Sequence, residues 1–312
     1  MTTTRSDNMN FVNKIFELQG DNFVSIKPYE TLYCYNEETS KWESSDFLLR
    51  KFILNKLVIY FPSLERDLYR RQDEIINLYT ETVGLRTDII FDDKWWLLKF
   101  DNCTYDLKKL EFRESIKEDY LTTSTGYNWI SPSDKKLKVI NDMIEKILPY
   151  ENERNNVLII LSASLSGKKF DYPTNIIGDG NNGKCTLTKF LIESLGNYSF
   201  IGTKTLYPRE DVDARFNNKR LVLINENDTG LDQVSIKSYI TQIRKYTLIT
   251  VSNNTLDEKI EGVITLQFKS HFTNNDDIVD NKTIFKKDNK FVDSEFINEH
   301  RCAFMQILMN KY

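Results

Sequence analysis

An α/β core on a mostly parallel sheet, behind a smaller α+β unit, is the architecture that three features of this 312-residue chain predict. The short apolar run Tyr172-Pro173-Thr174-Asn175-Ile176-Ile177 leads into the glycine-rich turn Gly178-Asp179-Gly180-Asn181-Asn182-Gly183-Lys184, and Thr186 to Leu195 has helical spacing. Strand, loop and helix therefore succeed one another as a unit. Two further apolar runs, Leu221-Val222-Leu223-Ile224 and Tyr246 to Val251, end in polar residues as buried strands do. Upstream of residue 130, short extended and helical runs intermingle. The expected division is an accessory α+β domain at 1–130 and a helical lead-in with the α/β core at 131–312.

Along the accessory region, Met1 to Met9 reads as a mobile start. Phe23-Val24-Ser25-Ile26 and Thr31 to Tyr35 read as strands, with Asn36 to Ser40 as the turn before Lys41-Trp42 resumes extended chain. Phe47 to Tyr60 and Leu64 to Val83 carry helical spacing on either side of Pro62, and Trp95 to Arg113 turns extended again. Ser131-Pro132-Ser133-Asp134 is a start signal for a helix over Lys135 to Leu148. A second helix spans Glu151 to Leu165, and a last one Glu295 to Met309.

Composition excludes several classes. With 40% hydrophobic and 28% charged residues the chain reads as an ordinary globular protein, and its net charge of −4 gives no global basic field. Any nucleic-acid contact must come from local patches such as Lys135-Lys136-Leu137-Lys138 or Lys168-Lys169. Cys34, Cys103, Cys185 and Cys302 are scattered, and His271 and His300 stand apart, so neither a zinc site nor a disulfide scaffold is indicated. No apolar stretch approaches the roughly 20 residues of a membrane span and the first ten residues are polar. A reducing, intracellular setting without membrane contact is expected.

The turn Gly178 to Lys184 is the chemical centre. Glycines let successive N–H groups and the following helix N-terminus converge on an anion, while the lysine ammonium reaches outer phosphates. Gly178, Gly180, Asn181, Asn182, Gly183, Lys184 and Cys185 are therefore candidate nucleotide-binding residues. The Ser or Thr that such a loop supplies next to hold magnesium is Cys185 here, and a thiol is a poor ligand for that hard cation. Glu226 follows the run Lys219 to Asn225, where a strand-end carboxylate serves to hold a metal water or polarise an attacking one. With the two strands expected side by side, Glu226 is the candidate catalytic and metal-ligating acid. Asn253, after the run Tyr246 to Val251, is the candidate sensor of a terminal phosphate.

Together these residues resemble the superfamily 3 helicases, in particular the poxvirus and giant-virus primase-helicase group. The loop resembles that family's Gly-x-Gly-x-Asn-Gly-Lys, and Lys219 to Glu226 its second conserved strand. Tyr33-Cys34-Tyr35 to Trp42 and Phe100 to Leu107 look like its N-terminal accessory domain, and Leu266 to Phe272 like its Phe-x-Ser-x-Phe strand. The resemblance implies a P-loop ATPase core using ATP and Mg, assembly into a homo- or hetero-oligomeric ring, and action on single-stranded or forked DNA in viral or plasmid replication. That work would lie in the host cytoplasm. The alternative is a catalytically inactive paralogue serving as a nucleic-acid-binding or assembly module.

Three departures bear on that choice. No arginine occurs from Lys245 to Lys290, where the family places the finger that reaches a neighbour's nucleotide; Lys259 offers charge there without a planar fork. The stretch Ser235 to Tyr246 is short for a DNA-gripping hairpin, and Arg244-Lys245 reads equally as the basic start of a strand. Cys185 is the third. By length, no primase domain is expected before the core and no DNA-binding domain after Tyr312.

Overall fold

The computed structural model describes residues 2–19, 22–26, 31–44, 46–83, 85–168, 172–202, 218–225, 246–253 and 262–312. They pack as two units, Met1–Asp93 with Ser115–Thr122, and Lys94–Glu114 with Thr123–Tyr312.

The first unit is mixed α and β. Helix α1 (Thr2–Gln19) precedes a sheet of order β3-β2-β1-β4, formed by β1 (Phe23–Ile26), β2 (Thr31–Asn36), β3 (Lys41–Ser44) and β4 (Leu85–Arg86). β2 pairs antiparallel with β1 and β3, opposing Cys34 to Phe23 and Trp42 to Tyr35, while β4 joins β1 in parallel. Where the sequence suggested only a mobile start over Met1 to Met9, the chain is helical from Thr2. Propensity there is weak, and tertiary packing supplies the missing stability: Phe11, Val12 and Ile15 are buried beside Leu49, Ile75 and Tyr79, and Asn8 donates to Glu74 at 3.1 Å. The expected helix from 47 to 60 is α2 (Asp46–Phe52) running through a π-helical turn at Ile53–Leu57 into Val58–Tyr60. The one from 64 to 83 breaks at Arg71 into α3 (Glu65–Arg70) and α4 (Gln72–Val83). Trp42 closes the unit, stacking on Tyr120 and donating from Nε1 to the Lys117 carbonyl at 2.8 Å.

The second unit opens with an antiparallel sheet, β5 (Leu97–Lys99), β6 (Thr104–Asp106) and β7 (Glu111–Arg113). Two helices follow. In α5 (Asp134–Ile147), Ser133 caps the start by accepting from the Lys136 N–H at 3.4 Å, and Ile140, Met143, Ile144 and Ile147 form the buried face. α6 (Glu151–Ser162) ends in a 3-10 turn at Ala163–Leu165. The central sheet then takes the order β12-β8-β11-β10-β9, from β8 (Thr174–Ile177), β9 (Ser199–Gly202), β10 (Leu221–Asn225), β11 (Thr247–Ser252) and β12 (Ile264–Gln267). All its pairings are parallel, as the unbroken apolar runs imply. α7 (Lys184–Leu195) follows β8. Two strands pair beyond the sheet, β13 (His271–Thr273) and β14 (Ile284–Lys286), and α8 (Ser294–Met309) packs on α7 through Phe304 and Phe190.

The strand order corrects one expectation. β10 does not lie beside β8; β11 stands between them, pairing Ile249 with Thr174 on one side and Leu223 on the other. Each apolar run states that it is a strand, but all three are buried on both faces and none carries a mark of its neighbour. The Phe-x-Ser-x-Phe stretch is likewise not one strand. β12 stops at Gln267, Ser270 donates to the Lys146 carbonyl at 2.8 Å, and β13 begins at His271.

Arg220 knits the unit together. Its side chain is 5% exposed, donates to the carbonyls of Leu165 and Leu97, and lies 4.4 Å from the Tyr198 ring. Arg220→Ala removes a buried charge together with its ring contact and leaves two buried carbonyls short of a donor. We expect a loss of about 3 kcal/mol in urea unfolding; a loss below about 0.5 kcal/mol would show that the guanidinium contributes nothing net.

Candidate functional site

The loop between β8 and α7 is shaped by two glycines that cannot be replaced without movement. At Gly178, φ is 149° and a Cβ would stand 2.6 Å from the Phe268 carbonyl oxygen; at Gly183, φ is 86° and a Cβ would stand 2.6 Å from Ile147 Cγ1. Gly180 differs, since a Cβ there would meet nothing within 4 Å. Asn181 takes a left-handed φ of 61°, which Asn tolerates better than most residues. Asn182 is 3% exposed and works inward, donating to the Phe268 carbonyl at 3.5 Å and accepting from the Lys184 N–H at 3.3 Å.

Lys184 opens α7, and its side chain folds back into the loop with 2% exposure. Nζ donates to the Gly178 carbonyl, to the Asp179 carbonyl at 3.3 Å, to Asn182 Oδ1 at 3.1 Å and to Asn253 Oδ1 at 3.4 Å. Burial pushes its pKa below the ordinary lysine value, against the opposing pull of Cys185 and Asp179. An anion brought to the loop would reverse that direction by favouring the charged form. Gly183 brings no side chain to cap α7, so the first turn directs its amides toward the same place.

Most of the predicted set therefore meets in one place: Gly178, Gly180, Asn181, Asn182, Gly183, Lys184, Cys185 and, from the tip of β11, Asn253. Glu226, the basic stretch Arg244-Lys245, Lys259 and Lys169 lie outside the described residues. A cleft of ≈ 340 Å³ adjoins the loop, and apart from Phe272, the last residue of the Phe-x-Ser-x-Phe stretch, its further lining comes from residues that no motif announced. Met143, Lys146 and Ile147 come from α5, Phe272 from β13, and Lys286, Lys287, Asp288, Phe291 and Val292 from the chain before α8. The signal available in sequence was faint: the dipeptide Lys286-Lys287 beside Asp288 and Phe291. The segment is held to the loop, because the Phe272 N–H donates to the Asn181 carbonyl at 2.7 Å.

The cleft fits a nucleoside phosphate in its loop amides, its lysines and its apolar walls. It does not fit magnesium in the usual way. The first-turn position that would offer a hydroxyl carries the exposed thiol of Cys185, and no group of three metal-binding side chains occurs among the described residues. Among the same residues no helix is long and apolar enough to cross a membrane.

Comparison with known proteins places the chain. Residues 72–150 match a family model described as D5 N terminal like. Over 109 residues the chain is 32% identical to the putative helicase L207/L206 of Acanthamoeba polyphaga mimivirus, a stretch covering 34% of this chain and 11% of that protein. The chain is related to the primase-helicase proteins of nucleocytoplasmic large DNA viruses. What it shares with this relative is thus about a tenth of the relative's length. Among solved structures, an apo form of the NrS-1 C-terminal region superposes with a TM-score of 0.50 at 10% identity, covering 96% of this chain and 68% of that one. A second apo structure of that region gives 0.48 at 9%, with the same coverage. The first of these is a likeness of fold.

Proposed function

We propose that the chain is an ATP-binding subunit of a superfamily 3 type DNA helicase serving viral or plasmid replication, with residues 131–312 as its P-loop core and residues 1–130 as an accessory domain. The carrying observation is the convergence of Lys184 and Asn253 on the Gly178–Lys184 loop at the head of α7. The amides of Gly180 to Gly183 cradle β- and γ-phosphates. Lys184 exchanges loop carbonyls for phosphate oxygens, Asn253 hydrogen-bonds the terminal phosphate, and Glu226 orients the attacking water. The relationship to viral primase-helicases supports DNA, single-stranded or forked, as the partner, a homo- or hetero-oligomeric ring as the assembly, and the host cytoplasm as the setting.

A second reading, an inactive paralogue acting as a nucleic-acid-binding or assembly module, is favoured by the thiol of Cys185. Turnover separates the two. Purified protein is expected to bind ATP and to hydrolyse it slowly, with stimulation by single-stranded DNA. Cys185→Ser, which returns an oxygen ligand to the helix start, is expected to raise magnesium-dependent turnover by about tenfold, equivalent to ~1.4 kcal/mol of barrier. Turnover that stays at background in both proteins, with ATP still bound, would favour the module.

A further inference from the structure

We infer, resting on the nucleotide reading above, that the cleft holds a nucleoside triphosphate without needing a divalent metal, Lys287 supplying positive charge to the phosphates in the metal's place. The first ground is chemical: a thiol stands where the hard-ion ligand belongs. The second is the charge of the cleft. Lys146, Lys184, Lys286 and Lys287 line it, and Asp288 is its one acid among the described residues. Two of these charges are already answered, since Lys286 pairs with Asp276 at 2.9 Å and Asp288 with Lys290 at 2.7 Å. Lys184 is sunk in the loop. Lys146 and Lys287 form no ion pair among the described residues, although Lys146 also acts on Asp288 through charge, so the described part of the lining carries more positive than negative charge.

Lys287 is the one tied to the loop by a short chain of backbone bonds. Its N–H donates to the Thr273 carbonyl at 2.8 Å, and the preceding residue, Phe272, donates to Asn181 within the loop at 2.7 Å. β13 and β14 pair in register on the same side, Phe272 against Phe285 and Thr273 against Lys286. The backbone that bears this ammonium is therefore fixed relative to the phosphate-facing amides. An ammonium so placed neutralises phosphate charge without octahedral oxygen ligands, and metal-free ATP, being more negative than its magnesium complex, is attracted more strongly.

Calorimetric titration of the whole chain with ATP, once in EDTA and once in excess magnesium, tests this. The wild type is expected to bind in EDTA at least as tightly as in magnesium. Lys287→Ala is expected to weaken binding in EDTA by about tenfold while leaving the melting curve in place, because the side chain is exposed. Lys282→Ala removes the same charge from the turn before β14, away from the cleft lining, and is expected to change nothing. Binding that requires magnesium would overturn the inference and leave the nucleotide reading standing, as would a Lys287→Ala protein that matches wild type in EDTA. Uptake in neither buffer would end both.

Discussion

Lys184→Ala is expected to weaken ATP binding by about a hundredfold or more, roughly 3 kcal/mol, the largest loss of any single side chain in the cleft. The ammonium is held at the centre of the loop by Gly178, Asp179, Asn182 and Asn253, a position that the other lysines of the cleft, which come from α5 and the chain before α8, do not share. Its present bonds are to neutral oxygens, and replacing some of them with anionic phosphate oxygens gains charge-assisted bonding at little reorganisation. The same substitution removes a cation from a buried position, which offsets the carbonyls it leaves without a donor. The thermal midpoint is therefore expected to move only by a few degrees. Titration calorimetry beside a melting curve reads both quantities. Unchanged affinity in a folded Lys184→Ala protein would mean that the ligand does not sit on this loop.

Gly196→Ala is the substitution with the largest expected effect on stability. Gly196 ends α7 with φ at 52°, and a Cβ there would stand 1.9 Å from the Thr125 carbonyl oxygen. That oxygen has nowhere to go: it accepts the Asn197 N–H at 3.2 Å, while the Thr125 N–H donates to the Lys99 carbonyl at 2.8 Å. The backbone at the end of α7 is thus in contact with a strand-bound segment across a gap that admits only hydrogen. With φ 52° and ψ −122° the backbone lies outside the left-handed helical region, in a conformation that costs a non-glycine residue about 1–3 kcal/mol, and forcing the two backbones apart adds a few more, for a total of about 4 kcal/mol. In a unit of this size the melting midpoint falls by roughly 10 °C. Gly180→Ala, with nothing within 4 Å of its Cβ, is the matched control and is expected to melt as wild type. A Gly196→Ala protein that melts within about 2 °C of wild type would mean the Thr125 segment is not held as described.

Legibility followed locality. The runs at 174–177, 221–225 and 247–252 were readable because strands buried on both faces are written as continuous apolar chain, and Ser133 announced α5 by its side-chain chemistry. The turn at 178–184 was readable because a left-handed or crowded backbone demands Gly or Asn at particular places. Strand order was not readable, since β11 enters between β8 and β10 through pairings no short segment encodes. Nor was the first turn of α1, whose helix depends on Phe11, Val12 and Ile15 finding partners some sixty residues downstream. In the site the same rule holds. Lys184 and Asn253 declared themselves by their positions after strands, whereas Met143, Lys287 and Phe291 reach the cleft from segments whose only qualification is where the fold carries them.

The insertion of β11 sets a lateral scale for chemistry at the sheet's edge. Neighbouring strands lie about 4.8 Å apart, so the tip of β10 at Asn225 is displaced sideways from Ile177 by roughly 10 Å. Whatever group acts from there must meet its target over the end of β11, and the middle strand tip, occupied by Asn253, becomes the gatepost between the two.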